Sequence, residues 1–237
     1  MAKPVSINKG LYWNAKGSIW KAFGMLLYEK RDTFLVGLLQ KLKEELDFSN
    51  RAYSTQQLLD IGCGTGDISE RISKIFGIDT VGVDLYSRFI SKRETAFLLA
   101  NSYILPFRPK SFEIITAFSL LEHIEEKHRI DFFDAVHNVL ADNGTFVIQL
   151  PNRYFLIEQH SFLPFVGYLP SRFHRLFYFS YVNVPSKGKV IADLARSGFV
   201  VKKIVNYGIP FQGFPLTDKL AKVIPFGFLI IAKMTEI

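Results

Sequence analysis

Cysteine is almost missing from this chain. Its 237 residues contain one, Cys63, so no disulfide framework can form within it, which matches a reducing compartment. Long apolar runs are missing too. No stretch reaches the ~18–20 uninterrupted apolar residues that span a bilayer, and the longest late run, Ile224–Ala232, is short and interrupted by Pro225 and Gly227. The start, MAKPVSINKG, is polar and basic with no apolar core behind it, so a secretion signal is not expected. There are no internal repeats and no low-complexity linker. Blocks of like charge are also absent. The formal charge is +7, but Lys and Arg are spread along the chain, as on a solvated basic surface. These absences predict a cytoplasmic protein, attached at most to a membrane surface.

What remains is ordinary in bulk, with 49% hydrophobic and 22% charged residues, except for 23 Phe. Residues 17–47 read as helical, with Trp20, Phe23, Leu27, Phe34, Leu38 and Leu42 near helical spacing. From Leu58 onwards strands and helices alternate. Strands are predicted at Leu58–Ile61, Thr80–Asp84, a short stretch ending near Asn101, Phe112–Phe118 and Thr145–Leu150. Helices are predicted at Asp67–Phe76, Arg88–Leu99 and Glu125–Leu140, and Asp142–Gly144 as a turn. That rhythm implies an α/β fold with a parallel sheet covered on both faces. After Leu150 it breaks, and resumes with a helix at Lys187–Ser197 and strands at Val200–Val205 and Phe226–Lys233. Four parts follow: a helical cover (1–56), a core (57–150), an aromatic-rich cap (151–185) and the rest of the core (186–237).

The most informative stretch is LLDIGCGTGDIS, at Leu58–Ser69. Glycines between a strand and a helix let the backbone approach a ligand where side chains would block it. Gly62, Gly64 and Gly66 are spaced G-x-G-x-G, and Asp67 stands where a dinucleotide fold has its third glycine. A carboxylate at a helix start repels a diphosphate but tolerates a cation, which also argues against a nicotinamide cofactor. Asp60 before the loop points the same way. Asp84 ends the next strand, where an acid grips ribose hydroxyls in nucleoside-binding α/β folds. A positively charged nucleoside without phosphate is therefore the expected ligand.

DIGCGTG, then VGVD, then ANSYILPF and SFEIITAFSLLEH together resemble the class I S-adenosylmethionine-dependent methyltransferases, over about Gln57–Leu150. The resemblance implies a Rossmann-like, seven-stranded, mostly parallel sheet with helices on both faces and an antiparallel last strand, for which Phe226–Lys233 is the candidate. It implies S-adenosylmethionine as cofactor. Asp60 and the backbone of Gly62, Cys63, Gly64 and Gly66 would face the methionine portion, Asp84 the ribose, and Leu85 the adenine. Asn101, where relatives most often have Asp, and its neighbour Ser102 would meet the adenine amino group. Ser119 and Leu120 would lie near the methyl donor. Cys63 reads as a small apolar filler rather than a nucleophile.

The methyl acceptor is less legible. The N-P-P-[YF] signature of amino-directed nucleic-acid enzymes is absent, and the only Cys sits in the cofactor loop, so nucleic acid is not the expected partner. SLLEHI, at Ser119–Ile124, resembles the E-x-x-E-H segment of quinone O-methyltransferases and small-RNA 2′-O-methyltransferases. In those families the acids and His can bind a divalent metal. Ser119 replaces the first Glu, leaving Glu122 and His123 as weak metal candidates and His123 as a catalytic one. PNRYFLIEQHSFLPFVGYLP, at Pro151–Pro170, resembles a segment found after the fifth strand in a subset of uncharacterised or lipid- and glycan-associated methyltransferases. It would turn Asn152, Arg153, Glu158 and His160 toward the methyl donor, with Glu158 and His160 as further catalytic candidates. Ten aromatics crowd Tyr154–Tyr181, with Arg153, Arg172, His174 and Arg175 among them. They read as a cap core, an apolar acceptor tunnel or a membrane-surface face. The expected activity is methyl transfer to a small apolar or lipid-like acceptor, most sharply O-methylation of a quinone or phenol precursor. A protein or RNA acceptor, or a cofactor-binding protein without activity, stays open, as does the oligomeric state.

Overall fold

Short apolar runs between turn residues become strands here because each pairs with a neighbour, the five inner ones on both sides and the two edge ones on one. A computed structural model describes residues 31–46, 57–86, 95–158, 164–170, 173, 182–208 and 223–235. Its elements are α1 (Arg31–Glu45), β1 (Gln57–Ile61), α2 (Asp67–Phe76), β2 (Asp79–Asp84), β3 (Ala96–Leu99), β4 (Phe112–Phe118), α3 (Arg129–Val139), β5 (Leu140–Pro151), α4 (Lys187–Arg196), β6 (Phe199–Tyr207) and β7 (Gly227–Met234). The strands form one seven-stranded sheet in the order β3-β2-β1-β4-β5-β7-β6. β1 runs parallel to β2 and β4, β3 to β2, and β5 to β4. β7 is antiparallel to both its neighbours, β5 and β6, as the resemblance implies.

The strand period of two sorts side chains onto the two faces. On β7, Phe228, Ile230 and Ala232 join one apolar cluster, while Leu229 and Ile231 join the other. The first cluster takes Phe132, Phe133, Val136 and Val139 of α3 with Val190 and Leu194 of α4. The second takes Leu35, Leu38, Leu39 and Leu42 of α1 with Ile72 and Phe76 of α2. Four fully or nearly buried leucines on α1 contribute on the order of 6–10 kcal/mol before the entropic cost of ordering them. The part of the predicted N-terminal helix before Arg31 lies outside the described residues.

Three predicted boundaries move by more than the one or two residues seen elsewhere. The short strand expected to end near Asn101 is present as the edge strand β3, but it takes Ala96–Leu99 from the end of the predicted helix, because that backbone pairs with Val81–Asp84 and pairing outweighs local pattern. The helix predicted from Glu125 starts at Arg129, after a separate tight turn at Glu126–His128. β5 begins at Leu140, not Thr145. Phe112 faces Leu140 and Ile114 faces Thr145, so the Asp142–Gly144 turn is an excursion within one strand.

Candidate cofactor site and the cap beside it

The glycine loop sits where β1 hands over to α2. Gly62, Gly64 and Gly66 all have positive φ, at 76°, 56° and 80°, in the left-handed region that costs any side chain a clash. At Gly62 an added Cβ would lie 2.7 Å from Leu120 Cδ1, so the loop lies against the turn that follows β4. At Gly64 the same position is open space. The Gly62 and Cys63 N–H groups donate to the Val83 carbonyl at 2.7 and 3.1 Å, anchoring the loop on β2. Cys63 is buried, and a Cβ on Gly82 would meet its Sγ at 2.9 Å. Burial, with the charges of Asp60 and Asp84, pushes its thiol up to about 12, which suits a filler and not a nucleophile.

The two acids of the motif have different jobs. Asp84 is half-buried at the carboxyl end of β2; one oxygen accepts the Gly64 N–H at 2.9 Å and the other the Tyr86 N–H at 3.0 Å. Each oxygen keeps a lone pair for a further donor, such as a ribose hydroxyl. Asp60 is 1% exposed and lies beneath the loop instead of facing a ligand. Its oxygens accept from the Ser69 hydroxyl of α2 at 2.6 Å and the Thr116 hydroxyl of β4 at 2.8 Å. Burial raises its carboxyl from 3.8 to about 6, opposed by those two hydrogen bonds and helped by the charge of Asp84. Asp60, at the foot of the loop, ties α2 to β4.

Asn101 ends its own turn: its Oδ1 accepts the Tyr103 N–H at 3.1 Å, leaving one lone pair and the amide hydrogens for an adenine edge. Ser102 beside it is half-buried. Ser119, exposed at the carboxyl end of β4, has a φ of 49°. Its N–H and hydroxyl both donate to Gln149 Oε1, at 2.9 and 2.7 Å.

A family model described as a methyltransferase domain matches residues 29–201, well over half the chain. This chain belongs to that methyltransferase family. Among solved structures, a Pyrococcus horikoshii OT3 protein shares the fold with a TM-score of 0.64 at 20% identity, over 88% of this chain and 91% of its own. An S-adenosylmethionine-dependent methyltransferase from Mesorhizobium loti does so at 0.57 and 18%, over 74% and 89%. In sequence, an uncharacterised Methanocaldococcus jannaschii protein is 33% identical over 98 residues, 41% of this chain and 38% of its own. The ubiquinone/menaquinone biosynthesis C-methyltransferase of Wigglesworthia glossinidia brevipalpis is 27% identical over 131 residues, 49% of this chain and 51% of its own. The chain thus spans about half or less of the length of these curated relatives.

The methyltransferase site fits S-adenosylmethionine. The open side of Gly64 and the spare lone pairs of Asp84 face one carboxyl edge of the sheet. Leu85 and Tyr86 after β2, Leu99 at the end of β3 and Ile104 are all exposed around it, an apolar rim that an adenine would cover.

The described acceptor-side candidates do not form one cluster. Glu122 and His123 share the Leu121–His123 turn, but Glu122 is fully buried and His123 exposed, so they do not present one ligand set. Among the described residues no group of three His, Cys, Asp or Glu could hold a metal ion. Glu158 is buried, and His160 lies outside the described residues. Asn152 and Arg153 turn away from the role expected of them. Asn152 Nδ2 donates to the Pro225 carbonyl at 2.7 Å. Arg153 donates to the carbonyls of Gly167, Val184 and Leu169 at 3.0, 3.2 and 3.3 Å. They staple the cap together.

Of the described cap aromatics only Phe155 is buried, edge-on to Phe226. Tyr154, Phe165, Tyr168 and Phe173 are exposed, with Tyr154 and Phe165 both flanking the Tyr168 ring at 5.6 and 6.2 Å. The aromatics at 162, 177–179, 181, 211 and 214, with His174, Arg172 and Arg175, lie outside the described residues. No described helix is long and apolar enough to cross a membrane. Sequence reasoning missed Ser69, Thr116, Gln149 and Tyr207. Gln149 alone carried a signal, as a lone amide inside the buried run FVIQLP.

Proposed function

We propose that this methyltransferase transfers the methyl group of S-adenosylmethionine to a small apolar or lipid-like acceptor, O-methylation of a quinone- or phenol-type hydroxyl being the sharpest form. The observation that carries the reading is the exposed patch of Tyr154, Leu156, Phe165 and Tyr168 just after β5, on the side where parallel strands deliver their ligands. Support also comes from the names of relatives: a ubiquinone/menaquinone C-methyltransferase, a sphingolipid C9-methyltransferase from Gibberella zeae and a fungal O-methyltransferase.

Bound S-adenosylmethionine supplies an electrophilic methyl on a sulfonium. The loop backbone from Gly62 to Gly66 and the Asp84 carboxylate hold and orient it, while the rim at Leu85 and Leu99 keeps water from its base. His123, exposed on the turn after β4, is the base assigned to take the acceptor's hydroxyl proton. Glu158 and His160 remain alternatives in the cap. The rest of the acceleration is alignment of acceptor and methyl donor. The patch and the +7 charge suit loading from an anionic membrane surface.

The test is transfer of labelled methyl into a total extract of the source cells, separated into lipid, protein and RNA, with and without EDTA. Label in lipid is expected. The basic charge favours a second reading with protein or RNA as acceptor, and label confined to one of those fractions would establish it. EDTA sensitivity would bring back a divalent metal.

A further inference from the structure

Ser119 adopts a left-handed conformation that costs a serine energy, so something must hold it there. A backbone N–H can only donate, so the group of Gln149 that faces it at 2.9 Å is the carbonyl oxygen. The Ser119 hydroxyl donates to that same oxygen at 2.7 Å. The amide nitrogen of Gln149 must then face the other way, and there it donates to the Tyr207 hydroxyl. Burial raises the Tyr207 phenol well above its ordinary value, so this oxygen stays un-ionised.

The link from Gln149 to Tyr207 crosses a strand. Gln149 is on β5, Tyr207 on β6, and β7 lies between them, with Gly227 opposite Tyr207 in the register. A Cβ at Gly227 would lie 2.1 Å from the Tyr207 hydroxyl oxygen. The missing side chain at Gly227 is what lets the phenol reach over β7 to β5.

We propose that Gln149 and Tyr207 form a buried strut that positions Ser119 as an acceptor toward the cationic methionine portion of S-adenosylmethionine. With its proton spent on Gln149, the exposed Ser119 Oγ offers lone pairs only, which is the polarity an ammonium needs. On its other side the same turn is braced by Leu120 against Gly62 of the cofactor loop. Gln149 and Tyr207 are thus positioning residues that act through Ser119. The proposal rests on the reading of this site as the cofactor site.

The test is calorimetric titration of the full chain with S-adenosylhomocysteine, with thermal unfolding as a fold check. Tyr207→Phe is expected to weaken binding three- to tenfold and Gln149→Leu tenfold or more. Gln149→Glu, whose carboxylate still accepts from both Ser119 donors, should stay within threefold of wild type. In a Ser119→Ala background Tyr207→Phe should have no further effect, because the strut has nothing left to position. Folded Tyr207→Phe and Gln149→Leu proteins that bind within twofold of wild type would overturn the strut. So would a Tyr207→Phe loss that persists undiminished in the Ser119→Ala background. If Gln149→Leu does not fold, Tyr207→Phe and the double variant decide alone. No binding by wild type would instead remove the cofactor reading beneath the proposal.

Discussion

The carboxyl edge around β1, β2 and β4 and the cap after β5 are both rich in polar side chains near backbone, yet they use them in opposite ways. At the sheet edge, Asp84 accepts two amide hydrogens and still has lone pairs to offer. In the cap, Asn152 and Arg153 direct amide and guanidinium groups to backbone carbonyls that no strand or helix satisfies. The difference follows from scaffold. A parallel sheet pairs its own backbone, which frees side chains at its edge for a ligand. An irregular segment must use its side chains to satisfy its own backbone. Mutations should therefore separate the regions: cap staples change stability, and the open edge acid Asp84 changes affinity.

The largest effect is expected at Gly167, where an added Cβ would lie 1.8 Å from the Arg153 carbonyl oxygen. Gly167→Ala should cost about 3 kcal/mol or more in urea denaturation, while S-adenosylhomocysteine affinity, measured on the folded fraction, stays within twofold. A tenfold loss of affinity would mean that the cap takes part in the cofactor site.

Asp60 comes next. Its folded carboxyl titrates near 6 against 3.8 for an ordinary one, so between about pH 4 and 6 the native state holds more protons than the unfolded state. Stability from this group therefore rises as pH falls through that window, by up to ~2–3 kcal/mol. Relative to Asp60→Asn, the wild type should gain that much between pH 7 and 4 in urea titrations. The opposite slope would show that Asp60 is stabilised as a carboxylate and not penalised by burial.

Asp84→Ala sharpens the other side. It should weaken cofactor binding at least tenfold, about 1.4 kcal/mol, and change the melting temperature little. An unchanged calorimetric affinity would remove the ribose assignment. Smallest of all is Cys63→Ala, expected to leave affinity within twofold. With its thiol near 12, Cys63 should also react slowly with iodoacetamide at pH 8; rapid labelling would contradict its burial against Gly82.

The same contrast explains what could be read in advance. The glycine spacing, Asp84 and the strand–helix alternation were legible because each rests on local geometry: a left-handed turn, a strand end, a period. The antiparallel β7 was reached only through the resemblance. Asp60 was seen as an acid but its direction was not, since that depends on Ser69 and Thr116, nine and 56 positions away. Asn152 and Arg153 suggested ligand contacts because a sequence does not show which carbonyls lack partners. Ala96–Leu99 was taken into a helix because a four-residue edge strand has no period of its own.

Sequence alone pointed to a cationic nucleoside, not a dinucleotide, after β1, because three glycines open the backbone to a ligand and the flanking acids favour positive charge. Tertiary structure alone decided which of those acids is open to it, and that Ser119, Gln149 and Tyr207 lie in one line across β5, β7 and β6. Hydrogen bonds between residues 30 and 58 positions apart exist only once the strand order is set.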